Sequence, residues 1–386
     1  MDFSLTEEHK MIQQAARDFA QNELLPGVIE RDENQTFPTE QVKKMGELGF
    51  MGMMVDPKYG GSGLDTISYV LAMEEISKVD ASASVVMSVN NSLVCWGLQT
   101  FGTEEQKLHW LPKMVRGEVI GALGLTEPHV GSDLRNIRTS AVRDGDEYVI
   151  SGQKTFISNG QLCDVVVLAT KTDSNAKEGG ISLFIVESSR TGFVKGRRLE
   201  KIGLKAQDTS ELFFEEMRVP VSNLLGPEHG GFKLLMKNLA QERLTQAVRS
   251  AVVVETVIDY TVAYATERKM FGQTLADFQN TQFKLAEMKT EAVVARVFVD
   301  HCLKLFMARE LSGTEAAMAK MTLSNLHCRV VDECLQLFGG WGYMWEYPIA
   351  RAYADARVVR IAGGSIEVMK QIIGRSLFPI DKSTQN

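Results

Sequence analysis

The stretch EYVISGQKTFIS, residues 147–158, follows an Asp144-Gly145 turn and sets Tyr148, Ile150, Phe156 and Ile157 among polar neighbours. An Asp-Gly turn feeding a run rich in β-branched and aromatic residues is the mark of a strand entered from a hairpin. DVVVLATK (164–171), GISLFIVE (180–187) and SELFFEEMRVP (210–220) repeat the signal, separated by clusters of Asp, Gly, Ser and Lys. Runs of this kind in close succession predict an antiparallel β-barrel or sandwich between Val119 and Pro220.

On both sides of this region the period changes. From Leu5 to Val115, and again from Gly230 to Phe378, apolar residues recur at helical spacing and proline is sparse. The first helical part is interrupted by MVDPKYGGSGLD (54–65). Its Gly60, Gly61, Ser62 and Gly63 lack the flanking Lys and the strand-to-helix setting of a phosphate cradle, so they are expected to form an interhelical loop. The predicted fold class is α+β: an N-terminal helical domain (1–118), a central antiparallel β-barrel domain (119–222) and a C-terminal four-helix bundle (223–386).

Composition narrows the function. A net charge of −7 argues against a nucleic-acid partner, which demands a cationic face. No window offers the run of uncharged apolar residues that a membrane span needs, and the N-terminal MDFSLTEEHK is acidic and amphipathic, so a cytoplasmic protein with no membrane association is expected. The five cysteines form no CxxC pair and are expected to be reduced, buried thiols. The histidines show no i, i+4 pair, and HExxH, Walker A and GxGxxG stretches are missing, so no metal is expected.

Four separated stretches carry candidate chemistry. In LTEPHVGSD (125–133), Pro128 ends a strand, and Gly131 with Ser132 would let backbone N–H groups approach a ligand; a plain polar turn would have the same composition. In KTFISNG (154–160), alternation by itself makes Phe156 and Ile157 core residues. ERKMFGQ (267–273) and LQLFGGWGYMWEYP (335–348) set Arg268 where a solvated helix face would serve as well, and Gly339 and Gly340 where a helix C-cap would.

In this order the four stretches resemble the acyl-CoA dehydrogenases, and the resemblance spans nearly the whole chain. It implies an FAD enzyme that introduces the α,β double bond into an acyl-CoA thioester, giving the trans-2-enoyl-CoA, with electron-transferring flavoprotein as acceptor and a homo-oligomer, usually a tetramer. It makes Leu125, Thr126 and Ser132 flavin contacts, with Ser132 also near the pyrophosphate or the substrate. Phe156 would lie against one flavin face, with Ile157 and Ser158 at its edge. Arg268 and Phe271 would reach the FAD of a neighbouring subunit, Gln336, Gly339 and Gly340 its adenosine half, and Ser365 would be a further cofactor contact. SASVVMSVNNSLVCW (82–96) is similar to the helix lining the acyl pocket, with Met87 as a substrate contact.

One position departs from the common pattern. Many members carry the base that removes the α proton as the Glu of a late YEGT stretch, but this chain reads IAGGS (361–365), with Gly363 in the place of the Glu. A minority, the long-chain and isovaleryl type, carries the base in an ER dipeptide on the first long helix of the last domain, which Glu242 and Arg243 match. Glu242 shares a helical stripe with Leu235, Leu239, Gln246 and Val253, which turns it toward a packed or semi-buried face where desolvation would raise its pKa toward that of a useful base. Glu242 is therefore expected to be the base, Arg243 a substrate contact beside it, and Glu367 to have no catalytic role. The resemblance keeps a part for Gly363: its N–H, with a ribityl hydroxyl, would hydrogen-bond the thioester carbonyl as an oxyanion hole does. Other readings are a flavin-dependent oxidase or monooxygenase of the same fold acting on a non-CoA substrate, an acyl-carrier-protein thioester dehydrogenase, or an idle scaffold. The acyl chain length stays open.

Overall fold

The computed structural model describes residues 5–176 and 180–378; residues 1–4 and 379–386, which the sequence places in the first and last domains, lie outside the described residues. The chain divides into two compact units, residues 6–239 and the residues from 240 onward.

The first unit opens with seven helices: α1 (Glu7–Phe19), α2 (Val28–Glu33), α3 (Thr39–Glu47), α4 (Thr66–Ser77), α5 (Ala81–Ser88), α6 (Trp96–Phe101) and α7 (Glu104–Val115). Side chains set their starts. Thr6 and His9, and Thr103 and Gln106, form capping boxes at α1 and α7, and Asp65 and Asp80 cap α4 and α5. The glycine run precedes α4 as a structural loop: a Cβ on Gly61 would sit 2.1 Å from the Val55 carbonyl oxygen, so the backbone there is packed against protein.

Seven strands follow: β1 (Gly121–Gly124), β2 (Ser140–Asp144), β3 (Glu147–Ser158), β4 (Val165–Lys171), β5 (Ile181–Glu187), β6 (Phe193–Arg198) and β7 (Thr209–Pro220). They make one sheet in the order β1-β4-β2-β3-β7-β6, with β5 paired to β4. Pairs β2–β3, β3–β7, β4–β5 and β6–β7 are antiparallel as expected. Pairs β1–β4 and β2–β4 are parallel, because the intervening β2–β3 hairpin lets the chain return to β4 in the direction of β1. The unbroken apolar run of β4 has a simple cause: Val165, Val167 and Ala169 pack among Val94, Leu98, Leu111 and Met114 of the helical layer, while Val166 and Leu168 face Tyr148, Ile150, Phe184 and Phe214.

Helix α8 (Gly231–Glu267) carries the chain across the division, and α9 (Gln279–Met307), α10 (Gly313–Phe338), α11 (Pro348–Ala356) and α12 (Ile366–Leu377) complete the second unit. A short hairpin, β8 (Lys269–Met270) with β9 (Gln273–Thr274), links α8 to α9. Helix α10 packs against α9, α11 and α12. It is boxed at its start by Ser312 and Glu315, and Pro348 opens α11, where a missing N–H costs nothing. Its buried stripe is not wholly apolar: Lys320 and His327 lie among Ala316, Leu323, Val330 and Val331.

Burial, helped by the nearby Arg249 charge, pushes the His327 imidazole down to about 4. The unfolded chain takes a proton on this histidine below pH 6.5 while the folded chain does not. The contribution is therefore complete above pH 6.5 and is lost as pH falls toward 4, to a limit of about 3 kcal/mol. We expect His327→Asn to flatten the fall in urea-unfolding midpoint between pH 6.5 and 4.5; a parent and variant that lose stability in parallel over that range would exclude His327 as a source.

Candidate active site

In the first unit the stretches LTEPHVGSD and KTFISNG are fastened to each other. Lys154, on β3, is buried; its Nζ donates to Glu127 Oε1 at 2.8 Å and to the Leu125 carbonyl at 3.1 Å. The Thr155 N–H donates to the Thr126 carbonyl at 2.9 Å. Glu127 also accepts from the Arg138 and Thr139 amides at 2.6 and 2.9 Å. Burial favours a neutral Glu127, but Lys154 and these amides outweigh it and hold the carboxyl below the usual range. Burial pulls Lys154 down to about 8 against the attraction of Glu127, so the pair is ionised at neutral pH.

Just beyond Lys154 the strand departs from alternation. The β3–β7 register shifts between Lys154 and Ile157, and Phe156 takes φ +59 and is 66% exposed, while Ile157 points into the core. A bulky side chain in the left-handed region costs energy that surrounding structure must offset, and such strain gathers at functional positions. Core alternation, the plain expectation for both residues, holds for Ile157 only. Leu125, Thr126 and Ser158 are half-buried around this bulge region, and Ser132 is exposed on the loop. Met87 is fully buried in α5.

In the second unit, Arg268, Gln336, Gly339 and Gly340 line one cavity of about 480 Å³ with Tyr264 and Trp341. Gly339 ends α10 at φ +60, and a Cβ on Gly339 or Gly340 would project into open space. Phe271, at the tip of the β8–β9 hairpin, has φ +50 and is 92% exposed. Elsewhere in this unit Glu242 lies on α8 with its side chain 14% exposed and Arg249 Nη2 at 4.0 Å from its Oε1. The stripe is packed as expected, Leu235 and Gln246 being buried and Leu239 and Val253 half-buried.

One turn beyond Glu242, Gln246 meets the 361–365 turn. Its buried Oε1 has no hydrogen-bond partner and lies 2.8 Å from the point where a Cβ of Gly363 would be. Gly363 and Gly364 have φ +66 and +100, conformations that favour glycine. Among the described residues the Gly363 N–H makes no hydrogen bond. The Ser365 side chain caps α12 by accepting from the Val368 N–H. Glu367 is exposed, and hydrogen bonds from its own backbone N–H and from Ser365 hold its carboxyl below the usual range, the wrong direction for a general base. Arg243 is buried, its Nε has no partner, and burial lowers its pKa.

Residues 6–118, 122–217 and 229–378 match, in turn, the acyl-CoA dehydrogenase N-terminal, middle and C-terminal domains. The chain belongs to the acyl-CoA dehydrogenase family. It is 44% identical to the mitochondrial long-chain specific acyl-CoA dehydrogenase of Sus scrofa over 372 residues, 96% of this chain and 86% of that protein. The acyl-CoA dehydrogenase of Geobacillus kaustophilus is 46% identical, with a TM-score of 0.95 over 98% of this chain and all of that one. Glutaryl-CoA dehydrogenase of Mycobacterium smegmatis, solved with FADH2, is 31% identical, with a TM-score of 0.92 over 97% and 95% of the two chains.

The dehydrogenase is thus an oxidoreductase of the CH–CH bond in fatty acid β-oxidation, and its family is FAD-dependent. No described helix is long and apolar enough to cross a membrane, and no metal-binding group of His, Cys, Asp or Glu occurs among the described residues. The residues present suit an FAD: the outward aromatic face of Phe156 offers a stacking surface, and the open space at Gly339 and Gly340 beside Arg268 offers room for a phosphate-bearing chain. Sequence patterning missed Lys154 and Glu127 as partners although both lie inside quoted motifs; a lysine within a stretch read as a strand was the available signal. Gln246 was read only as a member of the Glu242 stripe, and Lys320 gave no signal.

Lys154→Met would strand the Glu127 carboxylate in the interior. The expected loss is about 3–5 kcal/mol in urea unfolding, with Lys154→Met/Glu127→Gln recovering at least half. A single variant as stable as the parent would show that the ion pair does not hold the two stretches together.

Proposed function

We propose that Glu242 is the base that takes the α proton of an acyl-CoA thioester, and that the Gly363 N–H receives the thioester carbonyl. The observation that carries this reading is the neighbourhood of the 361–365 turn. The place of the usual carboxylate has no side chain, its N–H is free, and Gln246, one turn from the half-buried Glu242, lies against it. A base on α8 and a donor on the turn can then serve the same thioester.

In the reaction the α C–H bond breaks and its proton passes to the Glu242 carboxylate. Charge grows on the carbonyl oxygen, and a fixed N–H donor is worth most at that moment. FAD, when bound, supplies the acceptor for the hydride that leaves the β carbon. Arg249 sets a positive charge beside Glu242, and Arg243 brings a buried guanidinium to the same stretch of α8 as a substrate contact. In the same reading Leu125, Thr126, Ser132, Phe156, Ile157, Ser158 and Ser365 contact the cofactor. Arg268, Phe271, Gln336, Gly339 and Gly340 serve that of a neighbouring subunit in a tetramer, Met87 touches the acyl chain, and electron-transferring flavoprotein takes the electrons. The division into 1–118, 119–222 and 223–386 belongs to this reading, and the bacterial relative supports a cytoplasmic setting.

Glu242→Gln should bind FAD and acyl-CoA within about threefold of the parent yet reduce its flavin about a thousandfold more slowly in stopped flow. Reduction at the parental rate would remove Glu242 as the base. Transplanting the carboxylate as Glu242→Gly/Gly363→Glu should restore little by itself, since residue 363 sits at φ +66 and Gln246 occupies its Cβ space; adding Gln246→Ala should raise the recovered rate.

The purified protein should be yellow, release FAD on denaturation and sediment as an oligomer, with Arg268→Ala losing cofactor. Electron-transferring flavoprotein should be reduced far faster than oxygen; rapid turnover with oxygen alone would favour the oxidase reading.

A further inference from the structure

The second unit holds a buried ammonium that the reaction described above does not use. Lys320, on α10, has no solvent exposure, and its Nζ donates to the Gly364 carbonyl oxygen at 2.6 Å. Its surroundings give it little compensation: Arg243 on α8 repels it, and of the attracting groups Cys328 is on its own helix and Glu367 is an exposed residue of α12. Burial and Arg243 together lower it to about 8. An ammonium in such a place is costly, and a methionine or leucine would fill the volume more cheaply, so the charge-assisted bond to one carbonyl needs a reason.

The turn supplies the reason. Gly363 and Gly364 are consecutive, both at positive φ, and neither has a side chain to pin it. Main-chain bonds end at Ala362, whose N–H donates to the Val358 carbonyl at 2.9 Å, and order resumes only at Ser365, the cap of α12. Between these points the Lys320 bond fastens the Gly364–Ser365 peptide, two peptide units along from the N–H proposed to receive the thioester.

We infer that Lys320 is a positioning residue that holds the Gly363–Gly364 turn so that the Gly363 N–H is presented to the thioester carbonyl. The inference rests on the part proposed for Gly363 but not on the identity of the base.

The test uses the FAD-loaded enzyme and two readouts. Hydrogen exchange should rise at least about tenfold at the bonded amides that bracket the turn, those of Ala362, Val368 and Met369, in Lys320→Met, with the middle of α8 and of α10 changed less than about twofold. A bound 3-thiaacyl-CoA, which can lose an α proton but has no β hydrogen to give, reports carbonyl polarisation through the pH at which it ionises, read as long-wavelength absorbance. That midpoint should rise by about one pH unit, a tenfold loss of acidity, at unchanged affinity. Lys320→Arg, which keeps the charge and a donor, should restore part of both. Bracketing amides exchanging at the parental rate, or an unshifted ionisation midpoint, would overturn the inference. Should Lys320→Met fail to fold, Lys320→Gln replaces it: a smaller rise confined to these amides supports the inference, and parental exchange overturns it. A fast Glu242→Gln enzyme would refute the base assignment without touching the exchange result, and unchanged exchange with an inactive Glu242→Gln would do the reverse.

Discussion

The Lys154–Glu127 ion pair is the interaction on which the sheet-bearing unit's functional edge depends. It is desolvated on both sides, and its energy comes from completeness: the carboxylate also takes two amides, and the ammonium also takes a carbonyl. A buried pair of this kind adds little net stability over an apolar pair but heavily penalises any arrangement in which the partners separate. It therefore acts as a register pin. With Lys154 fixed, the next residues have no freedom to slide along β7, and the extra residue of the bulge must be expelled as the exposed ring of Phe156.

Much of the architecture was legible because the periodicity changes twice along the chain, and the apolar run of β4 and the alternation in β3 read correctly as strands. The parallel pairing of β1 with β4 was not, because pairing direction is set by how distant segments return to the sheet, and no local pattern encodes it. At the candidate site, the half-burial of Glu242 followed from its stripe on α8, and the end of α10 at Gly339 from the glycine pair read as a helix C-cap. Phe156 could not be placed from alternation, since a bulge inverts the facing of a residue without altering the composition around it. The contacts of Lys320 and Gln246 with the 361–365 turn stayed invisible for a different reason: each spans more than 40 positions, and nothing next to either residue in the chain marks it.

The second unit shows how a helical bundle can order a turn that has no side chains of its own to pack. A turn of two glycines exposes main-chain N–H groups without steric cover, but it also has the most conformational entropy to lose. Neighbouring helices supply the missing order. Helix α10 contributes a charged donor to one carbonyl, α12 begins at a capping serine, and α8 lays an amide side chain over the Gly363 Cα. Precision at the turn is thus borrowed from elements that are themselves long and well packed.

The position of Gln246 also bears on what residue 363 can tolerate. The atom nearest a Cβ there is Gln246 Oε1, the far end of a flexible side chain that can swing aside, whereas the φ of +66 is fixed by main chain that cannot. A side chain at 363 is therefore opposed first by backbone geometry and only second by its neighbour, and relieving the neighbour lifts the smaller of the two obstacles.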